Sequence, residues 1–355
     1  MIIFYSDKHL LHNTDIFNSP GVERQYDEVP ARVETIRRAV ERAGLGEIVA
    51  PTDHGLDPIL AVHDPGLIEF LQTVHRRFSD FHGQPRPVMA DTFDQRRTGP
   101  RPTGLFPQIG YYNFDTASPI LEGTWEAAYW AAQCAVDAAA HLTSQALLLA
   151  SERRISYALC RPPGHHAGRD YIGGYCYLNN AAIAARALQS PPHPQPLSPG
   201  PMGVTVAILD FDNHHGNGTQ SIFYEDPSVL FVSLHAEPND EYPYFWGHAN
   251  ERGLGAGEGF NVNFPLPLGT GDDVFLVALG RALEAVEKFA PDYMVVSAGF
   301  DVLNSDRRFM LTTDGIAKIG AAISKVAVPT VVIQEGGYLQ ETLGENAVRF
   351  LRAFK

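Results

Sequence analysis

The chain is poor in cysteine, short of basic residues relative to acidic ones, and without a long apolar run. It has three cysteines in 355 residues, Cys134, Cys160 and Cys176. They are widely spaced and odd in number. That excludes a disulfide framework and a Cys-x-x-Cys metal clip, and it makes a reducing cytoplasm the expected location. No stretch approaches the roughly 18 apolar residues of a bilayer-spanning helix, so no membrane span is expected. The opening Met1-Ile2-Ile3-Phe4-Tyr5-Ser6-Asp7 lacks the basic start and apolar stretch of a signal peptide and reads as a first strand. Lys and Arg number 27 against 41 Asp and Glu, a net charge of −14. Binding to a phosphate backbone needs a basic surface, so nucleic acid is excluded as a partner. An acidic surface suits a cationic substrate, because it concentrates cations, and it equally serves plain solubility.

What is present is ordinary globular composition, 45% hydrophobic and 19% charged, arranged as alternating strands and helices. Residues 204–209, 229–234, 293–297 and 330–333 are continuous β-rich runs. Runs without polar alternation suit strands covered on both faces, as in a parallel sheet. Helical patterns occupy 124–150, 180–188 and 274–289, the last ending before Pro291. The spacing predicts one α/β domain over residues 1–355, a doubly wound, mostly parallel sheet flanked by helices. Residues 78–118, rich in Pro, Gly and Arg, read as a long ordered loop at the rim of a site or at a subunit contact. Residues 190–203, with six prolines, read as an exposed extended insertion without chemistry of its own. There is no internal repeat.

Acids and imidazoles cluster at the ends of these strands. In open α/β sheets ligands bind beyond the carboxyl ends of the strands. Asp212 and His214 follow the 204–209 run, Asp301 follows 293–297, and Tyr338 follows 330–333. A single Asp in such a place commonly caps the next helix. Three such places converging beside a tandem His165-His166 argue for a metal. Two carboxylates and an imidazole can hold Zn²⁺ with a coordination position open, and Fe²⁺ or Co²⁺ could use the same donors. A histidine next to that position is a natural general base and acid. Two adjacent histidines should titrate as a coupled pair. Tyr338, after two glycines, could turn its hydroxyl towards the metal. The parts describe a metal-dependent hydrolase.

The motifs Arg161-Pro162-Pro163-Gly164-His165-His166-Ala167, Gly174-Tyr175-Cys176-Tyr177-Leu178-Asn179-Asn180 and His214-His215-Gly216-Asn217-Gly218-Thr219 resemble those of the zinc-dependent deacetylase family. That family has the arginase/deacetylase fold and includes histone deacetylases and bacterial acetylpolyamine amidohydrolases. The resemblance runs from Phe4-Tyr5-Ser6-Asp7 to Gln334-Glu335-Gly336-Gly337-Tyr338. It is greatest for the acetylpolyamine branch, through Arg96-Arg97-Thr98-Gly99-Pro100-Arg101-Pro102-Thr103, Gln108-Ile109-Gly110-Tyr111-Tyr112 and Gly123-Thr124-Trp125-Glu126-Ala127-Ala128.

The resemblance implies roles. Asp212, His214 and Asp301 become the ligands of one Zn²⁺. His166, backed by Asn217, becomes the general base and then acid, and His165, backed by Asp210, its electrostatic partner. Tyr338 would stabilise the oxyanion. Tyr175 and Tyr242 would wall a narrow tunnel beside Gly174. Asp210, Asp212, His214, Ser233 and Leu234 match a structural K⁺ or Na⁺ site. The implied substrate is a small cationic N-acetylated amine, with protein acetyl-lysine or another small N-acyl amide as the alternative, and the implied assembly is a homodimer built partly from 78–118. Relatives of the acetylpolyamine branch carry acids at the tunnel mouth. Here Phe106 stands where an acid is expected, which leaves Asp115 or Glu122 as the ammonium reader, and Phe106 and Phe114 could favour a more apolar amide. The flanks of Asp301 and the shortened segment 304–310 also depart from the relatives. A metal-binding module without catalysis has no need of His165, His166 and Tyr338 together, and an arginase-like ureohydrolase would need the ligands of two metals.

Overall fold

A computed structural model describes residues 1–14, 16–19, 22–94, 99–145, 155–190, 203–303 and 309–355, with only the backbone described for 16–19, 22–25 and 145. The proline-rich insertion expected at 190–203 lies almost wholly outside the described residues, as do 146–150 of the expected helix, Arg96, Arg97 and Thr98, and most of 304–310.

The strands are β1 (Ile2–Phe4), β2 (Ile16–Ser19), β3 (Val22–Gln25), β4 (Glu47–Val49), β5 (Ile155–Ala158), β6 (Val206–Asp210), β7 (Val229–Ala236), β8 (Asn261–Leu266), β9 (Tyr293–Ala298) and β10 (Thr330–Gln334). The helices are α1 (Ala31–Arg42), α2 (Asp57–Leu60), α3 (Pro65–His82), α4 (Leu105–Tyr112), α5 (Thr124–Gln145), α6 (Asn180–Gln189), α7 (Asn217–Phe223), α8 (Asp272–Phe289), α9 (Thr313–Ile323) and α10 (Gln340–Arg352). Among the described residues, eight strands form one sheet in the order β4-β1-β5-β10-β9-β6-β7-β8, and β2 pairs with β3. Every pairing in the large sheet is parallel.

The apolar runs explain the layering. Successive side chains of a strand point to opposite faces. Val206, Ile208, Tyr293, Val295, Val331 and Ile333 pack on one face with the alanine-rich α5 and α6. Ala207, Leu209, Met294, Val296 and Val332 pack on the other with residues of α1, α8, α9 and α10. All of these strand residues are buried. The two faces make β6, β9 and β10 a rigid platform, and their carboxyl ends share one edge.

The helix ends follow local chemistry. Asn179 caps α6, its side chain accepting from the Ala182 N–H. Asp64 caps α3 ahead of Pro65. The four strands predicted from apolar runs occur at their expected places as β6, β7, β9 and β10, and so do the three helices over their described residues. Strand β5 escaped that reading because Ser156 and Tyr157 interrupt its apolar character; the Tyr157 hydroxyl is instead satisfied by Gln334 Oε1 at 2.7 Å. The stretch 78–118 is not loop throughout. Its first residues complete α3, where Phe78 packs edge-on against His82 at 4.4 Å before Gly83 ends the helix in a left-handed conformation. Its later residues form α4. Arg101 pairs with Asp64, and Arg77 of α3 donates to Gln108 of α4, each at 2.7 Å.

Candidate active site

Four neighbouring strands deliver the site. The chain leaves β5 into Arg161–His166, β6 into Asp210–His214, β9 into Asp301 and β10 into Glu335–Tyr338. Asp212, His214 and Asp301 each offer one ligand atom, and these atoms lie within 4.8 Å of one another. His214 Nδ1 is 3.2 Å from Asp212 Oδ1 and 3.2 Å from Asp301 Oδ2. The Asp301 Oδ2 atom is buried and has no hydrogen-bond donor. A buried carboxylate oxygen without a donor is costly unless a cation takes it. The same field acts on His214: burial disfavours its charged form, yet the carboxylates of Asp212 and Asp301 raise its pKa to about 9. The donor set therefore fits a divalent cation of the Zn²⁺ type, bound through one nitrogen and two oxygens. Gly336 lets the backbone approach: a Cβ there would lie 2.5 Å from both Asp212 Oδ2 and Asp301 Oδ2, and the Gly336 N–H donates to Asp212 Oδ2 at 2.8 Å.

The tandem histidines are differentiated by their partners. His165 Nδ1 lies 3.0 Å from Asp210 Oδ2. Burial opposes its protonation, but Asp212 and Asp210 outweigh burial and raise its pKa to about 10. His166 Nδ1 is 2.7 Å from Asn217 Oδ1. A carbonyl oxygen only accepts, so Nδ1 carries the hydrogen and Nε2 keeps its lone pair. Burial, then the charge on His165 and His214, pushes the His166 pKa well below its ordinary value. One histidine is charged and the other is a neutral base, 4.0 Å apart between ring centroids.

Two aromatic walls flank these groups. Tyr242 packs edge-on against His166 at 5.1 Å and His214 at 5.8 Å, and it stacks with Phe114 at 6.2 Å. Opposite, Tyr175 sits between Tyr26 at 4.9 Å and Tyr338 at 5.9 Å. Asp210 and Ser233 face each other in register across β6 and β7, with Leu234 next along the strand. Two expected substrate contacts have partners within the chain. Phe106 packs edge-on against Phe78 and Phe81 and is half exposed. Asp115 does not extend a free carboxylate to the mouth: its oxygens accept from Tyr242 Oη at 2.6 Å, Gly174 N at 2.9 Å and Ala117 N at 2.9 Å. Glu122 stays on the surface just ahead of α5.

A buried ion network beneath the site went unread in the sequence. Glu28 Oε1 accepts from Arg32 Nη1 and Arg161 Nε, both at 2.7 Å. Arg32 also donates to Glu335 O at 2.7 Å and Gly337 O at 2.5 Å. Glu335 in turn accepts from Gly164 N at 2.7 Å and His165 N at 3.2 Å; burial raises its pKa to about 7. The only available sequence signal was the i, i+4 spacing of Glu28 and Arg32.

A parallel sheet with an Asp–His–Asp cluster beyond its carboxyl edge, a neutral histidine beside that cluster and a tyrosine across from it define a metal-dependent hydrolase. The chain belongs to the histone deacetylase family: the model of the histone deacetylase domain matches residues 26–354. It is 43% identical over 360 residues to acetylpolyamine amidohydrolase 1 of Pseudomonas aeruginosa, covering 100% of this chain and 99% of that one. It is 40% identical over 357 residues to acetylpolyamine amidohydrolase of Mycoplana ramosa, covering 99% of each. The crystal structure of acetylpolyamine aminohydrolase from Burkholderia pseudomallei superposes with a TM-score of 0.89 at 39% identity, covering 100% of this chain and 98% of that one. Among the described residues, no helix is long and apolar enough to cross a membrane.

Proposed function

We propose that this chain hydrolyses the acetamide of small N-acetylated amines, acetylpolyamines preferred, to acetate and the free amine. The observation that carries the chemistry is the pairing of a neutral His166, its Nδ1–H on Asn217, with the Asp212–His214–Asp301 cluster. Full-length similarity to acetylpolyamine amidohydrolases supports the substrate class.

Zn²⁺ held by Asp212, His214 and Asp301 would supply Lewis-acid polarisation of the acetyl carbonyl and of the attacking water. The protein's own groups do the rest. His166 Nε2 takes a proton from water as the water oxygen bonds to the carbonyl carbon. The Tyr338 hydroxyl donates to the oxygen that gains charge. His166 then returns its proton to the nitrogen as the C–N bond breaks. The charged His165, fixed by Asp210, adds positive potential and holds His166 neutral before the reaction. Tyr175 and Tyr242 line the approach and grip a methylene chain by apolar contact. Asp210, Asp212, His214, Ser233 and Leu234 would hold a K⁺ or Na⁺ that braces the β6 and β7 ends. A homodimer contact involving 78–118 is supported by the exposed Phe81 and Phe106 of that stretch. A cytoplasmic setting is supported by Cys134, Cys160 and Cys176, all buried thiols.

The test is acetate release by the zinc-loaded protein from acetylputrescine, acetylspermidine and acetylcadaverine beside an acetyl-lysine peptide. The expected result is a kcat/KM on the small amines far above that on the peptide. A preference for the peptide would overturn the substrate assignment and leave the hydrolysis standing; no acetate from either would overturn both.

A further inference from the structure

Asp115 lies in the segment leading from α4 to α5, distant in sequence from every strand that carries the site. Its carboxylate is nonetheless built into the tunnel wall. One oxygen, Oδ2, accepts both the Tyr242 hydroxyl at 2.6 Å and the Gly174 N–H at 2.9 Å. The other, Oδ1, accepts the Ala117 N–H at 2.9 Å. Burial raises its pKa, and the three donors counter that by favouring the ionised form. All three donors belong to the protein, and two of them belong to residues that face the reacting groups.

The two clasped residues are tightly constrained. Gly174 has φ +56°, and a Cβ there would run into the His166 ring and lie 2.7 Å from the Tyr242 hydroxyl. The Gly174 backbone thus sits against the general base with no room for adjustment. The Tyr242 ring lies 5.1 Å from the His166 ring and stacks with Phe114, whose edge contacts Tyr171 at 5.6 Å and Trp246 at 5.8 Å. A tyrosine ring in such a wall can turn about its side-chain bonds unless something holds its hydroxyl. Asp115 is the group that holds it, and the same oxygen accepts the adjacent Gly174 N–H.

We propose that Asp115 is a positioning residue: by clasping Tyr242 and Gly174 on one carboxylate oxygen it fixes the width of the passage beside His166, and it does not read the ammonium end of the substrate. This rests on the reading of the site as an amide hydrolase. Both oxygens of the carboxylate are already taken by the protein's own donors. An acetylated amine and an uncharged acetamide of equal length should depend on Asp115 to the same degree. The residue that discriminates the cation must then be another one.

The experiment compares Asp115→Ala, Asp115→Asn, Tyr242→Phe and the Asp115→Ala/Tyr242→Phe double variant with the zinc-loaded wild type. Each is assayed for kcat and KM on acetylputrescine and on neutral N-butylacetamide, with thermal melting as the fold control. Acetate release by the wild type checks the amide-hydrolase reading separately. Asp115→Ala is expected to lower kcat/KM about ten-fold or more on both substrates, since it leaves the Gly174 amide and the tyrosine hydroxyl unpartnered. Asp115→Asn should recover most of that loss, because its amide oxygen can accept from both clasped donors. The double variant should be no worse than Asp115→Ala, since one removed bond is counted only once. A loss confined to acetylputrescine and not recovered by Asn would overturn the proposal and make Asp115 the ammonium reader. Wild-type kinetics in Asp115→Ala would overturn it as well. Asp115→Asn and Tyr242→Phe preserve shape, so they report even if the alanine variant does not fold.

Discussion

The guanidinium of Arg32 lies 4.6 Å from the centroid of the Tyr338 ring and, through the carbonyls of Glu335 and Gly337, holds the turn that presents that ring. A planar cation over an aromatic face is attractive, and the fork geometry lets one side chain bond two carbonyls. The relationship joins the start of α1 to the end of β10. It anchors the backbone from which Tyr338 projects. Its positive charge also opposes the burial that raises the pKa of this phenol.

Tyr338→Phe keeps the ring and its stacking and removes only the hydroxyl. The expected result is a fall in kcat of roughly 10²–10³, with bound zinc unchanged by atomic emission. Arg32→Lys lacks the planar fork that reaches both carbonyls and Glu28 together and should reproduce part of that fall. In the Tyr338→Phe background it should add little, because both substitutions act on one group. Additive losses would separate Arg32 from the orientation of Tyr338.

Among the described residues, Glu28 is the carboxylate that pairs with both Arg32 and Arg161, and all three side chains are buried. The two arginines hold its pKa low against the effect of burial. Glu28→Gln leaves two cations without a counter-charge. Breaking a buried ion network in this way costs about 3–5 kcal/mol, read as a lowered urea midpoint with an unchanged slope. Glu28→Asp, which retains the charge but shortens the reach, should fall in between.

Legibility in the sequence followed physical rules that differ from region to region. The four central strands were readable because burial on both faces demands unbroken apolar runs, and the Asp212–His214–Asp301 cluster was readable because its residues stand directly beyond those runs. Asn217 was placed behind His166 by its motif. Strand β5 was hidden by Ser156 and Tyr157, whose polar groups are satisfied by partners far along the chain. The Glu28–Arg32–Arg161 network was hidden because each charge looks like surface until the third dimension brings the others to it. The contacts of Asp115 were hidden for a related reason: only the positions of Tyr242 and Gly174 show that its oxygens accept from them. The 78–118 stretch reads as an ordered loop because α4 spans just Leu105–Tyr112 and contains both Pro107 and Gly110.

Asn217 offers a neutral oxygen to His166 Nδ1–H, where a carboxylate would add charge. The His166 pKa is depressed by burial and by the positive charge on its histidine neighbours. Asn217→Asp places an anion against the ring and favours the imidazolium, so the His166 pKa must rise. The neutral base then persists over a narrower range. The acid limb of the kcat/KM profile is expected to move to higher pH, and activity near pH 6 to fall more than activity near pH 8. A profile that scales down without shifting would mean that His166 does not set the acid limb.

His63 provides a stability test away from the metal ligands. Its Nδ1 faces Gly168 O at 2.9 Å, and its Nε2 accepts the Asn179 N–H at 2.9 Å. The neutral ring is therefore fully used, and a proton on Nε2 would displace the Asn179 bond at the cap of α6. Burial pushes its pKa down to about 4, only partly offset by its backbone bonds. An unfolded histidine titrates near 6.5. Between those values the unfolded chain binds a proton that the folded chain refuses, so stability must fall as pH falls. The contribution is complete above pH 6.5 and is lost progressively towards pH 4. His63→Gln can donate to Gly168 and accept from Asn179 without titrating. Urea unfolding of the two proteins at pH 7.5, 6.5, 5.5 and 4.5 should diverge on the acid side, the wild type losing up to about 3 kcal/mol more than the variant. Differencing the two curves removes the acid sensitivity of the metal site, which both share. Parallel curves would mean that the ring accepts its proton in the folded state at its ordinary pKa, and that the Asn179 bond does not hold it neutral.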